Sequence, residues 1–262
     1  KWLVLFIVFG LILTACGGSD TAEEVETVAE EAPAEELDSP ATTAAPTTTT
    51  GPTAEVCMVY DIGGRGDLSF NDMAYAGLEK AVAELGVNGQ DLEPNEGGEN
   101  RAELLGLCAE DGKDVIIGVG FFFADSITEV ATAYPDVSFG IIDSAVEPGN
   151  VAGMLFAEEQ GSFLVGAAAA LKTQTNKVGF IGGVEFPLIQ KFEAGFVAGV
   201  KAVNPDIEID IKYATVPPDF GGFNLPDKGK EIALAQYEAG ADIIYHAAGG
   251  TGAGLFLSLI HI

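Results

Sequence analysis

Basic residues are scarce in this chain. Twelve Lys and Arg stand against 40 Asp and Glu, a formal net charge of -28 over 262 residues. A nucleic-acid binder needs clustered cations to neutralise phosphates, and no such cluster occurs, so a general polyanion partner is excluded. Acidity on this scale suits a well-solvated surface and carries no information about fold. Histidine is limited to His246 and His261, and no His/Cys/carboxylate group has the spacing of a metal site, so no metal is expected. The strand-turn-helix signature Gly-x-Ser-x-Gly is absent, as is the phosphate-cradling G-x-x-x-x-G-K-[ST] loop. Nothing argues for an enzyme or for a bound cofactor.

The apolar run from Trp2 to Leu13 is shorter than the roughly 20 residues of a membrane-spanning helix. It follows a charged residue, Lys1, and ends in small residues, which is the pattern of a secretory signal peptide. Its last residues, Leu13-Thr14-Ala15-Cys16, resemble the lipobox of bacterial lipoproteins, which implies that Cys16 is lipidated and becomes the mature N-terminus. Residues 1–16 are therefore expected to be removed or converted to an anchor. The remainder is expected on the extracytoplasmic face of a cell membrane, held there by its N-terminal lipid.

Residues 17–53 are rich in Asp, Glu, Ala, Thr and Pro, and Gly17 to Pro52 include no aromatic residue, Lys or Arg. Such a segment cannot bury enough apolar surface to offset its ordering entropy and is expected to be a disordered acidic and Thr/Pro linker. From Glu55 the character changes. Short β-branched runs at 56–60, 115–119, 137–142, 151–154, 177–181, 208–212 and 242–245 alternate with helical stretches. These helices are expected at 71–85, 100–109, 124–134 and 161–172, before Val203, and at 228–238. That rhythm predicts βαβ units and mostly parallel sheets. Its restart near Asn176 predicts a first lobe over 54–174, including a crossover segment, and a second over 175–256. The last six residues, Leu257-Ser258-Leu259-Ile260-His261-Ile262, correspond to a translated transposase sequencing adapter, and 257–262 is expected to be an artefact.

Ligands of open α/β sheets bind beyond the carboxyl ends of strands. The glycine-rich stretch Asp61 to Asn71 occupies such a place after the first strand, with Asp61 directed toward the cleft. Carboxylates at Asp61 and Asp143 suit acceptance of hydrogen bonds from sugar hydroxyls, although Asp143 also reads as a cap on the segment after it. Phe70 and Phe223 suit stacking on a flat ring, against ordinary core packing. Arg65-Gly66-Asp67 spells an integrin-type tripeptide, most simply by coincidence. Cys57 and Cys108 form an even pair that favours a disulfide in an oxidising compartment, against two buried thiols.

Taken in order, several segments resemble the basic membrane protein family of ABC-transporter substrate-binding lipoproteins. They are Asp61-Ile62-Gly63-Gly64 with Asp67-Leu68-Ser69-Phe70-Asn71, Ile116-Ile117-Gly118-Val119-Gly120-Phe121, and Tyr134-Pro135-Asp136-Val137. Further on come Glu158-Glu159-Gln160-Gly161-Ser162-Phe163-Leu164-Val165-Gly166, Lys177 to Gly183, Phe192-Glu193-Ala194-Gly195-Phe196, and Ala247-Ala248-Gly249-Gly250-Thr251-Gly252. The resemblance implies a type I periplasmic-binding-protein fold, two Rossmann-like lobes joined by a hinge, with the second lobe truncated after Phe256. It also implies capture of a purine nucleoside between aromatic rings matching Phe70 and Phe223, with Asp61 and Asp143 on its polar edges. Asn71, Phe121, Phe192 and Gly249 are implied as further cleft residues. A monomer delivering its solute to an ABC permease and its ATPase would follow. The same two rings would accept riboflavin or another heteroaromatic solute, and a ligand-sensing surface lipoprotein would use the same cleft. The stretch Gln90 to Asn100 departs from the family pattern, and the family's later Asp and Lys do not occur between Gly252 and Phe256.

Overall fold

The computed structural model describes residues 53–259. Cys16 and its expected lipidation, the signal segment and nearly all of the linker lie outside the described residues, as do 260–262.

Two parallel sheets organise the chain. The first has the order β2-β1-β3-β4-β5, with β1 Glu55–Val59, β2 Asn88–Leu92, β3 Val115–Gly118, β4 Ser138–Ile142 and β5 Val151–Met154. Side chains alternate across a strand, and β1 shows the consequence. Cys57 and Val59 enter a core with Leu105, Ile116, Phe123, Ile127, Phe139 and Ile141. That core lies under the helices α2 (Arg101–Glu110) and α3 (Ala124–Ala133). Met58 and its neighbour Tyr60 face the other way and pack with Leu78 of α1 (Phe70–Leu85) and with Val119. Apolar residues on both faces are what a sheet covered by helices on both sides requires.

The second sheet has the order β7-β6-β8, with β6 Lys177–Val184, β7 Glu208–Thr215 and β8 Ile243–Ala247. Val178 and Phe180 meet Phe196 and Val200 of α5 (Pro187–Val203) on one face. Ile181 meets Ile232 of α6 (Pro226–Glu238) and Leu255 of α7 (Ala253–Leu259) on the other. The helix α4 (Glu158–Lys172) belongs to this second core through Ala169. The crossover assigned to the first lobe from sequence therefore packs in the second. Glycine permits that packing: a Cβ on Gly199 would lie 2.0 Å from the Phe163 carbonyl oxygen, and one on Gly166 2.1 Å from that of Phe196. The expected boundary at Phe256 is not marked by a break, since α7 runs on to Leu259 and Ser258 is fully buried.

The strand β2 was not expected. Its sequence, Asn-Gly-Gln-Asp-Leu, has poor strand propensity, but as an edge strand it needs only backbone pairing with β1, in register from Glu55 with Asn88 to Val59 with Leu92. Among the described residues no helix is long and apolar enough to cross a membrane.

Cys57 in β1 and Cys108 in α2 are bonded, S–S 2.04 Å, across a sequence separation of 51 residues. A crosslink closing so long a loop removes much unfolded-chain entropy. Reduction, or the C57S/C108S replacement, should lower unfolding free energy by about 2–4 kcal/mol. Urea denaturation with and without reductant measures it, and coincident curves would exclude a stabilising bridge.

Candidate functional site

All described residues belong to one compact unit, and a cavity of about 440 Å³ opens between the carboxyl ends of the two sheets. Its first-lobe wall carries Asp61, Phe70, Asn71, Phe121 and Asp143, and its second-lobe wall Phe192, Phe223 and Gly249. The eight residues picked out for the cleft thus line one cavity. Phe122, Leu188, Tyr245 and His246 join them. Among the described residues no group of three or more His, Cys, Asp or Glu could hold a metal ion.

The glycine-rich loop after β1 is built to start α1 at the cavity. Leu68 and three glycines, Gly63, Gly64 and Gly66, adopt positive φ, which folds the chain back sharply. Asp67 then fixes the turn. Its Oδ1 accepts the Ser69 and Asp72 N–H groups at 2.9 and 3.2 Å, and its Oδ2 accepts the Asn71 N–H at 2.9 Å. These bonds satisfy free donors at the helix start. Asp67 is buried, 4% exposed, so the Arg-Gly-Asp tripeptide cannot present its carboxylate to a partner.

Asn71 links this loop to the strand end. Its Oδ1 accepts the Asp61 N–H at 3.1 Å and its Nδ2 donates to Asp67 Oδ2 at 3.2 Å. Asp61 lies beside it as half of an ion pair, with Arg101 Nη2 2.7 Å from Oδ1. The Ile62 N–H also donates to Oδ1, at 2.7 Å, so only Oδ2 is without a protein donor. Burial pushes the Asp61 carboxyl upward, and the Arg101 charge and hydrogen bond oppose that. Gly120, at φ 111°, makes room: a Cβ there would lie 2.4 Å from Asp61 Oδ2.

Sequence reasoning missed Phe122, Leu188, Tyr245 and His246 on the wall, and behind the wall it missed Arg101, which holds Asp61. Its partner lies 40 residues away, so no local spacing announced the pair. A signal existed in composition, because Arg65 and Arg101 are the only arginines in the sequence. Arg is the cation suited to buried, planar pairing with carboxylates and to stacking on rings. Arg65 does so at the surface, 3.5 Å over the Tyr75 ring and 3.3 Å from Asp91, and Arg101 does so buried, 2.7 Å from Asp61 and 5.2 Å from the Phe122 ring centre.

Asp143 follows β4 in the left-handed region, φ 63°, with its N–H donating to the Met154 carbonyl at 2.9 Å. It caps no helix, since the next element is β5. Among the described residues no protein donor reaches its carboxylate. Burial, together with the negative charge of Glu158 and against the positive charge of Lys191, raises its pKa to about 6. Lys191 itself is paired with the buried Glu158 at 3.3 Å.

Aromatic rings bridge the lobes beside the cavity. Phe121 stacks on Phe186, centroids 5.0 Å apart and planes at 11°. Phe122 meets Phe220 and Phe223 edge-on, at 5.4 and 6.5 Å. Phe70 packs against the Met58 and Tyr60 face of the first sheet, whereas Phe223 packs on the second-lobe core. The two rings therefore reach the cavity from opposite lobes.

Two doubly wound parallel sheets with a lined cleft between their carboxyl ends define a solute-binding protein of the type I periplasmic fold. Residues 54–258 match the Bmp family, described as ABC transporter substrate-binding protein PnrA-like, and the chain belongs to that family. A CD4+ T-cell-stimulating antigen of Listeria monocytogenes is 42% identical over 206 residues, 77% of this chain and 56% of that protein. An ABC transporter nucleoside-binding protein, BmpA, of Lactococcus lactis is 36% identical over 77% of this chain and 57% of its own length. The structure of an ABC transporter solute-binding protein from Aeropyrum pernix aligns with TM-score 0.70 at 32% identity, covering 79% of this chain and 58% of that one. The chain spans a little over half the length of these relatives. The family is one of solute-binding proteins, not enzymes.

Proposed function

We propose that this protein is the lipid-anchored, extracytoplasmic receptor of an ABC importer, taking a purine nucleoside into the cleft and passing it to a permease and its ATPase. The observation that carries the reading is the 440 Å³ cavity lined by Phe70 from one lobe, Phe223 from the other, and a carboxylate without a protein donor among the described residues, Asp143. That volume lies in the range of small-molecule sites. Flat rings suit aromatic walls, and ribose hydroxyls suit a carboxylate acceptor. The Lactococcus relative, named as nucleoside-binding, points the same way. Anchoring rests on Leu13-Thr14-Ala15-Cys16, outside the described residues. Chemistry on the solute plays no part in this reading.

Calorimetric titration of the full-length protein with inosine, adenosine and guanosine tests it. Binding of at least one is expected; heat with riboflavin and none with any nucleoside would overturn the substrate class. The pH profile is a second mark. A hydroxyl donates to ionised Asp143, so a proton on that carboxyl competes with the solute. With the free pKa at about 6, affinity should be level above pH 7 and fall as pH drops below 6, by up to about tenfold per unit. A flat profile from pH 7.5 to 5 would remove Asp143 from the contact.

A further inference from the structure

Most polar side chains on the cavity wall are already engaged within the protein. Both Asp67 oxygens accept N–H groups, Asn71 bridges Asp61 and Asp67, Asp61 Oδ1 holds Arg101, and the Tyr245 hydroxyl meets Ser162 Oγ at 3.2 Å. His246, near the end of β8, differs, because neither ring nitrogen is hydrogen-bonded among the described residues. One edge of its ring is pressed on Gly252, where a Cβ would lie 2.1 Å from both Nδ1 and Cε1. Nδ1 is buried there without a partner. That leaves Nε2 as the accessible nitrogen of a side chain on the cavity wall.

The protonation state follows from this packing. Burial holds the imidazole pKa below its usual value, against the nearby Asp67 charge, so the ring is neutral at pH 7 and carries one N–H. A buried N–H without an acceptor is a rarer and costlier defect than an unshared lone pair. The proton therefore belongs on Nε2, the nitrogen that is not buried without a partner, on a ring that lines the cavity.

We propose that His246 is a ligand-binding residue of the second lobe, donating from Nε2–H to an acceptor atom of the bound solute. It complements Asp143, an acceptor on the first lobe. A solute bonded to both offers donors to one lobe and an acceptor to the other. On the nucleoside reading above, those are ribose hydroxyls and a ring nitrogen or carbonyl oxygen of the purine. A solute held this way favours the closed arrangement, because only that arrangement makes both contacts.

Long-range proton–nitrogen NMR of the labelled full-length protein reads the tautomer directly. Nε2–H is expected without ligand, with the Nε2 resonance displaced by inosine; an Nδ1–H tautomer, or an Nε2 signal indifferent to a solute that binds, would overturn the proposal. In calorimetry, His246→Leu should weaken inosine binding about tenfold, the worth of one hydrogen bond. His246→Gln, which restores a donor, should stay within about threefold of wild type. A Leu variant within twofold of wild type would equally overturn the assignment, and if that variant fails to fold, the tautomer measurement decides. Should the wild-type protein bind riboflavin and no nucleoside, the nucleoside reading fails alone, and the same variants titrated with riboflavin judge His246.

Discussion

Replacing Arg101 with Met should destabilise this protein by about 3–5 kcal/mol at pH 8, the cost of leaving one partner of a buried ion pair alone. Arg101 and Asp61 pair at 2.7 Å with side chains only 12% and 11% exposed, so water cannot replace the lost charge. Arg101 Nη1 also donates to the Gly98 carbonyl at 3.0 Å, and the guanidinium lies near the Phe122 and Phe123 rings, 5.2 and 5.5 Å from their centres. The loss should depend on pH with a definite sign. Burial already raises the Asp61 pKa, and Arg101 is what opposes it. Without Arg101 that pKa rises further, so ionised Asp61 costs stability at high pH and the cost is relieved as the carboxyl takes up a proton on acidification. Urea denaturation at pH 8 and pH 5 should show a smaller deficit at the lower pH. The double replacement R101M/D61N should recover most of the loss, since no charge is left buried. A single variant within 1 kcal/mol of wild type at both pH values would refute the account.

The ion pair also shows where sequence reading stops. The apolar run Val115 to Val119 announced a buried parallel strand, because a strand covered on both faces is apolar throughout. Glycine after β1 announced a tight loop at the carboxyl edge of the sheet, and Phe70 and Phe223, expected as ring contacts, line the cavity. Three features were not legible. The strand β2 is mostly polar and lies at the sheet edge, with Leu92 packed on the core, so a hydrophobic pattern carries little trace of it. The Asp61–Arg101 pair joins residues that only the fold brings together. The commitment of Asn71 to Asp61 and Asp67 shows that a residue can match a binding motif while its polar atoms hold the loop itself. His246 stands out only once the hydrogen bonds of Asp67, Asn71 and Tyr245 on the same wall have been assigned.

The paired rings carry the other large effect. Base–aromatic stacking contributes about 1–3 kcal/mol per base when tested by truncating the ring. Phe70 and Phe223 lie on opposite lobes of one cavity, so a flat solute between them would lose both faces in the double variant. Leucine is the better replacement than alanine, because both rings also pack against their own lobes and a smaller side chain would leave a cavity. Phe223 needs this care most, since its ring lies so close to β6 that a Cβ on Gly183 would come within 2.5 Å of it. F70L/F223L should therefore weaken inosine binding at least about a hundredfold, with each single change near tenfold. Thermal unfolding should remain cooperative in all three variants, which separates loss of contact from loss of fold. Binding by the double variant within tenfold of wild type would sink the two-ring clamp and leave solute capture to the polar groups, Asp143 and His246, alone. The effect should also be large for riboflavin if that is the solute bound, because any flat heteroaromatic presents a π-face to stack. The Phe variants thus test how a ring is held, and the Asp143 pH profile and the His246 variants test the polar contacts proposed around it.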